Sequence, residues 1–202
     1  MGVTERRERE KQALRQVILT AARELFVKEG YENVSMRRIA EKIEYSPTTI
    51  YLYFRDKDEL LHEMCNETFA LLSRKLNKIL AAEGDPVEKL REGLKVYVQF
   101  GLKHPNHYYT TFMRPFGKCK EDHPYEESKG EEAFKKLVES VAACVQAGKF
   151  RETDVMAISQ SLWMTVHGIT SLLITFNPDF PWGEQVRLID ATIDNALRGW
   201  AA

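Results

Sequence analysis

Residues 35–59, SMRRIAEKIEYSPTTIYLYFRDKDE, constrain the fold of this chain more than any other stretch. They predict two short helices joined by a tight turn, with a third helix starting directly afterwards. Ser35 opens the first helix, because its hydroxyl can accept from the unpaired amides of a first turn. Met36, Ile39, Ala40 and Ile43 recur at helical spacing and predict its core face. Glu44, Tyr45 and Ser46 form the turn, and Pro47 suits the first position of a second helix, where a missing N–H costs nothing. That second helix, expected over 47–54, carries Thr48, Thr49, Tyr51 and Tyr53, with apolar surface only from Ile50, Leu52 and Phe54. A helix this short is marginal alone, so packing must hold it while a hydroxyl-rich face stays exposed. Such a face suits base edges and phosphates in a major groove. A plain helical hairpin with a tyrosine-rich face is the alternative, since the same geometry occurs without DNA.

The residues that follow extend the pattern. Asp56 and Glu59 have the spacing of a capping box, and Lys57 sits at the start of the helix they open. The exposed amides and positive dipole end of a helix N-terminus favour an anion such as a phosphate. This helix is expected over 57–82, long enough to carry a tilt from one end of the molecule to the other. Before the turn unit, a helix over 7–29 is expected with Ala13, Val17, Ala21, Leu25 and Phe26 inward, stopped by Gly30. Asp85-Pro86 restarts a helix to about His104, His104-Pro105 breaks it, and 106–113 forms a short one. Residues 114–125, with two prolines and a glycine, predict an irregular entrance loop. Helices then follow over 126–147, from a Thr153 cap to Phe176, and over 184–200. No stretch alternates as a strand would. The expected fold is all-α with about nine helices: a helix-turn-helix DNA-binding domain over 1–56, then a helical regulatory, ligand-binding and dimerisation domain over 57–202.

Charge gives the DNA reading only modest help. The 202 residues carry a net charge of −1, and residues 1–54 hold ten Lys/Arg against eight Asp/Glu. Affinity for DNA must therefore come from placed cations rather than bulk charge. The mixed run Thr4–Lys11 predicts a solvated helix extension, with Arg6, Arg7 and Arg9 as secondary candidates for DNA. Cys65, Cys119 and Cys144 have no metal-type spacing and predict thiols in a reducing cytoplasm. No signal peptide and no uninterrupted apolar run of membrane-spanning length is present, so a cytoplasmic protein without membrane contact is expected.

The segment ILTAARELFVKEGYENVSMRRIAEKIEYSPTTIYLYFRDKDELL resembles the DNA-binding domain of the TetR family of bacterial transcriptional regulators. AARELFVKEGY, the Ser35 start, IAEKI, TIYLYF and DKDEL carry the likeness in one continuous register. The resemblance implies that Arg37 reaches DNA from the helix before the turn. It also implies that Pro47, Thr48, Thr49 and Tyr51 face bases or nearby backbone, and that Tyr53 and Lys57 hold phosphates. Two positions depart from the family's usual pattern. Glycine is usual where this chain has Glu44, and suits a left-handed helix end. Glycine is also frequent at Thr48, so base preference does not transfer from any relative.

The C-terminal half offers three further patterns. Trp163, His167 and Gly168 resemble the regulatory domain of the TetR subgroup named for those residue types; His167 is equally readable as a core histidine satisfied by a hydrogen bond. The last two helices carry apolar stripes, Ile158, Leu162, Thr165, Ile169, Leu172 and Leu173 on one and Val186, Ile189, Ile193, Ala196, Leu197 and Trp200 on the other. They predict half of a four-helix bundle across a twofold axis, as in family relatives, or closure of the protomer's own core. Aromatic and apolar residues Tyr97, Phe100, Tyr108, Tyr109, Phe112, Met113, Phe116, Phe134 and Trp163, with His167, predict either plain core or a pocket for a small hydrophobic or aromatic ligand. No catalytic pattern, metal site or cofactor motif is present, although His104 and His107 lie three apart with His123 nearby. The leading expectation is a ligand-responsive repressor that binds a palindromic operator as a homodimer. The alternative is a ligand-independent DNA-binding regulator whose C-terminal domain only dimerises.

Overall fold

The computed structural model describes residues 2–113, 129–151, 153–176 and 180–202, leaving out the side chain of Val3. Those residues contain nine helices: α1 (Val3–Glu29), α2 (Met36–Lys42), α3 (Pro47–Tyr51), α4 (Lys57–Leu80), α5 (Pro86–Lys103), α6 (Pro105–Phe112), α7 (Lys129–Gln146), α8 (Val155–Thr175) and α9 (Gln185–Arg198). The only β pairing among them is an isolated bridge between Phe150 and Ala201. The expected entrance loop 114–125, with Phe116, Cys119 and His123, lies outside the described residues. The chain divides into two compact units. One holds the described residues up to Thr68 with 106–113, and the other holds 69–105 with the described residues from 129 onward. Helix α4 therefore contributes its first three turns to the first unit and its remainder to the second.

In the first unit, four helices close one core. Ile18, Leu19, Ala22, Leu25 and Phe26 of α1, Met36, Ile39 and Ala40 of α2, Ile50 and Phe54, and Leu60 and Met64 of α4 are all buried. The expected inner stripe of α1 holds at Ala21, Leu25 and Phe26, which are buried, and fails at its N-terminal end. Ala13 is exposed and Val17 is 47% exposed, because residues 4–13 run beyond the core and the buried face begins at Ile18. Two ion pairs tie α1 to the first turns of α4, Arg15–Glu63 at 2.8 Å and the buried Arg23 with Glu67 at 3.1 Å.

Ser35 caps α2, its Oγ accepting the Arg38 amide at 3.1 Å. The other end of α2 accounts for the unusual Glu44. The Tyr45 amide donates to the Ala40 carbonyl at 3.0 Å and the Glu44 amide to that of Glu41 at 3.3 Å, the paired bonds of a Schellman closure. That closure needs a left-handed residue between them, and Glu44 supplies it with φ of 60°. It is the one non-glycine residue with positive φ among the described residues. Its side chain makes this conformation unfavourable by about 1–2 kcal/mol.

In the second unit, α5 packs against α7, α8 and α9. Leu90, Leu94 and Val98 of α5, Val141 of α7, Ile158 and Leu162 of α8, and Ile193 and Leu197 of α9 fill its interior. Ile158, Leu162 and Leu173, with Ile189, Ile193 and Leu197, are buried within the protomer, so half of each expected interface stripe closes the protomer's own core. Asp154, rather than Thr153, caps α8, its Oδ1 accepting the Ala157 amide at 2.9 Å; the carboxylate reaches the first-turn amides from one residue further on. Arg91 on α5 grips Asp194 on α9 at 2.6 Å, and Lys95 holds Asp190 at 2.8 Å. The Arg91 guanidinium lowers the Asp194 pKa from its ordinary value.

Two stability measurements follow from these contacts. Glu44→Gly removes the side-chain penalty of about 1–2 kcal/mol against an added unfolded-chain entropy of about 0.5–1 kcal/mol. The expected result is a melting midpoint a few degrees higher, since about 1 kcal/mol moves a chain of this size by roughly 2–4 °C. A midpoint unchanged or lowered would show that the turn tolerates glutamate without strain. At the α5–α9 tie, Asp194 is partly exposed, so the pair contributes at most about 1 kcal/mol. Because the folded carboxylate titrates below the unfolded one, this stability is present above the unfolded pKa of about 4 and is lost as pH falls through the lower folded value. Asp194→Asn should be less stable than the wild type at pH 7, with the gap closing in denaturant melts below about pH 4.

Candidate nucleic-acid interface

Helix α3 has only five residues, and three local devices hold it. Ser46 caps it, its Oγ accepting the Thr49 amide at 3.1 Å and lying 2.9 Å from Thr49 Oγ1. Pro47 occupies the first helical position. Ile50 and Phe54, four residues apart, are buried, and the Arg15 guanidinium lies 4.9 Å above the centroid of the Phe54 ring. The helix ends at Tyr51 rather than at Phe54, with Leu52 as its C-cap. That ending turns Leu52 outward to 77% exposure, whereas the sequence pattern counted it among the apolar packing residues.

The opposite face presents the expected reading groups. Pro47 and Thr48 are exposed, and Tyr51 is 55% exposed beside Leu52. The Thr49 hydroxyl is engaged in the cap, so its role is to brace the helix as much as to meet a base. Tyr53 is half-buried with its ring against the core. Arg37 projects from α2 with its Nε 3.2 Å from Glu41, an exposed pair that a phosphate can compete for.

The start of α4 differs from a bare helix N-terminus. The Asp56 carboxylate accepts the Glu59 amide at 2.8 Å, and Glu59 accepts the Arg55 amide at 2.6 Å. The Glu59 amide holds the Asp56 pKa below its ordinary value, with Arg55 adding to the effect. Asp56 thus caps the helix as expected, whereas the Glu59 carboxylate meets the amide of Arg55, one residue before the one a capping box uses; the Glu59 amide is occupied by an anion of the chain's own. Attraction for a phosphate there falls to Lys57. Its Nζ donates to the Tyr31 carbonyl at 2.7 Å and lies 4.0 Å from the Tyr31 ring centroid, while the Tyr31 hydroxyl donates to Asp58. Neither Arg15 nor Tyr31 stood out in the sequence as part of this interface. Both act through distant partners, and only the EGY ending of α1 hinted at Tyr31.

The expected effector residues fall in both units. In the second, the Tyr97 hydroxyl lies 3.4 Å from His167 Nδ1, and the Trp163 ring stands 5.9 Å from both the His167 and the Phe134 rings. Burial lowers the His167 pKa from its ordinary value, which favours a neutral imidazole. Phe100 is fully buried with its ring 5.0 Å from His104. In the first unit, Phe112 stacks on Tyr108 at 4.9 Å, Met113 is half-buried, and Tyr109 turns outward at 39% exposure. A polar pair the sequence did not single out joins α4 and α6: Thr68 Oγ1 lies 3.2 Å from His107 Nδ1. The hydroxyl of Thr111, one turn beyond, is buried with no hydrogen-bond partner among the described residues. Burial pushes the Cys144 thiol up to about 11, which makes it a poor nucleophile. Among the described residues no three His, Cys, Asp or Glu side chains gather as a metal would need, and no helix is long and apolar enough to cross a membrane.

Fold and reading face together define a helix-turn-helix DNA-binding regulator, and comparison with known proteins agrees. Residues 18–64 match the family described as bacterial regulatory proteins of the tetR family, and residues 90–196 match its tetracyclin repressor-like C-terminal domain. The second match alone spans more than half of the chain, so this chain belongs to the TetR family of transcriptional regulators. The finer likeness to the Trp-His-Gly subgroup rests on Trp163, His167 and Gly168 alone. An HTH-type transcriptional regulator of Haemophilus influenzae is 35% identical over 65 residues, which are 32% of this chain and 35% of that protein. The HTH-type transcriptional repressor KstR of Mycolicibacterium smegmatis is 33% identical over 90 residues, 45% of this chain and 42% of that one. The aligned part thus spans less than half the length of these curated relatives. Among solved structures, the TetR-family regulator PfmR of Thermus thermophilus superposes with a TM-score of 0.74 at 24% identity, over 90% of this chain and 97% of its own. The ketosteroid transcriptional regulator KstR2 of Mycobacterium tuberculosis does so at 0.70 and 19%, over 93% and 95%. At these identities the likeness is one of fold.

Ser46→Ala tests how far the interface depends on its local cap. Loss of an N-cap costs about 1 kcal/mol. The variant should melt earlier and bind every DNA sequence more weakly, as followed by calorimetry and fluorescence anisotropy. Unchanged binding would mean that Ile50 and Phe54 alone hold α3.

Proposed function

We propose that this chain is a ligand-released transcriptional repressor that reads a palindromic operator as a homodimer and acts in the cytoplasm. The observation that carries this reading is the two-sided character of α3. Ile50 and Phe54 lock one face while Thr48, Tyr51 and Leu52 project from the other. Tyr51 offers a hydroxyl to a base edge or phosphate, and Leu52 offers an apolar surface of the kind that meets a thymine methyl. Five helical residues span few base pairs, so a second copy related by a twofold axis supplies the rest of the site.

An outward stripe on α8 supports the pairing. Met164, Leu172 and Phe176 are 67%, 47% and 50% exposed, and follow one another at four-residue multiples with Gly168 between. A Cβ built on Gly168 would meet nothing within 4 Å among the described residues, which leaves space beside it. Val186 at the head of α9 is also exposed, at 64%. An apolar face of this kind favours burial against its own copy, with glycine allowing close helix approach.

Effector response rests on the Tyr97–His167 pair. A neutral imidazole and a phenol flanked by Phe134 and Trp163 suit a small hydrophobic or aromatic molecule bearing one uncharged polar group. The names of KstR, a repressor, and KstR2, a ketosteroid regulator, are in keeping with repression and with a hydrophobic effector class. Release needs only that the effector bind more tightly to a conformation whose reading helices no longer match successive grooves.

The test uses gel-shift titration on DNA flanking the gene, light scattering and thermal shift with hydrophobic small molecules. The wild type should be a dimer at micromolar concentration. Met164→Glu with Leu172→Glu should yield monomers and lose more than tenfold in operator affinity, while Tyr51→Ala should cost about 1–3 kcal/mol of specific binding. A monomeric wild type would overturn the dimer, and unchanged affinity of Tyr51→Ala would overturn the reading face. A protein that no hydrophobic compound stabilises or releases from DNA would overturn the effector response.

A further inference from the structure

We infer that Tyr31 is a positioning residue that aims Lys57 at the DNA backbone, an inference that rests on the reading of Lys57 as a phosphate contact. A lysine on a helix surface ordinarily samples many rotamers, and ordering it on binding reduces the affinity it contributes. Lys57 is ordered in advance. Its ammonium donates to the Tyr31 carbonyl at 2.7 Å and sits 4.0 Å above the Tyr31 ring, in cation–π geometry. The carbonyl uses one of the three ammonium donors, so holding the group does not exhaust its capacity for an anion.

Tyr31 is itself fixed from three sides. Its ring meets Phe26 edge-on at 5.0 Å, its carbonyl accepts the Val34 amide at 3.3 Å, and its hydroxyl donates to Asp58. The last contact matters for charge as well as position. Asp58 is the acid next to Lys57, and its Oδ1 accepts from the phenol, a neutral donor that holds this oxygen in place. Gly30, with φ of 80°, ends α1 and turns the chain so that Tyr31 comes to the start of α4. Since the Asp56 carboxylate already occupies the Glu59 amide there, the Lys57 ammonium is the group at the start of α4 that attracts a phosphate.

The experiment is a double-mutant cycle on the full chain, read by anisotropy on a mixed-sequence fluorescent duplex across a salt series. Phosphate contacts dominate non-specific binding, so no operator is needed. Tyr31→Leu keeps apolar volume against Phe26 but removes the aromatic face and the hydroxyl; Tyr31→Phe keeps the face. Tyr31→Leu should weaken binding about three- to tenfold, with the salt slope of the wild type, because the lysine charge remains. Tyr31→Phe keeps the ring but frees Asp58 beside the lysine, so its binding should fall between that of the wild type and that of Tyr31→Leu, by the same ordering argument. Lys57→Ala should reduce the slope by about one per protomer, and Tyr31→Leu should have no further effect in the Lys57→Ala background. An equal loss from Tyr31→Leu in both backgrounds, or no loss in either, would overturn the positioning role. An unchanged affinity and slope for Lys57→Ala would instead overturn the phosphate contact beneath it.

Discussion

The DNA-reading end of this protein depends on the burial of Ile50 and Phe54. Five helical residues make too few intrahelical hydrogen bonds to persist in water, so α3 exists because Ile50 on it and Phe54 just beyond its end enter a core built by α1, α2 and α4. Each such side chain contributes roughly 1.5–3 kcal/mol when fully buried, more than the cap and the proline add together. That same commitment fixes which residues face outward. Once Ile50 and Phe54 point inward, Thr48, Tyr51 and Leu52 are left on the exposed side. Arg15 extends the lock by lying on the Phe54 ring while pairing with Glu63, so α1, α3 and α4 meet at one point.

Glu44 shows where this arrangement carries strain. The turn between α2 and α3 closes by two backbone hydrogen bonds that require a left-handed residue, and glutamate is poorly suited to it. The cost falls at the joint that sets the angle between the two reading helices. Core burial on both sides over-determines that angle, which is the condition under which a strained residue persists. The departure from the family's usual glycine is therefore accommodated without any change in how α2 ends.

Much of this was legible in the sequence because local signals agreed with one another. Ser35, Ser46-Pro47, Asp56 with Glu59 and Asp85-Pro86 each mark a helix start by a hydroxyl, a ring or a carboxylate acting within four residues, and all four open helices. The aromatic and glycine signature around them carried the family. Elsewhere the periodicity was ambiguous. On α1 the expected stripe reaches the core at Ala21, Leu25 and Phe26, and only the point at which the chain enters the core leaves Ala13 and Val17 outside it. On α8 and α9 the apolar positions are too many for one face, so the residues closing the protomer could not be separated from the outward set Met164, Leu172 and Phe176 by spacing alone. Tyr31 and Arg15 escaped notice because their work lies in contacts 26 and 39 positions away, with Lys57 and Phe54.

Charge at the reading face follows the same economy. The chain is slightly acidic overall, and several of its exposed cations near α2 and α4 already face carboxylates: Arg37 with Glu41, Arg38 with Glu29, Arg55 with Asp56. Exposed pairs of this kind are worth little, so a phosphate can displace the carboxylate at small cost, but the displaced acid stays nearby and offsets part of the gain. Lys57 is held differently, by a neutral carbonyl and an aromatic face rather than by an acid. On the proposed phosphate role, no carboxylate of the described residues has to be displaced from this ammonium. On the proposed reading, non-specific attraction comes from a few placed cations among the described residues of each protomer, and tight binding follows when two protomers present them at the spacing of one site.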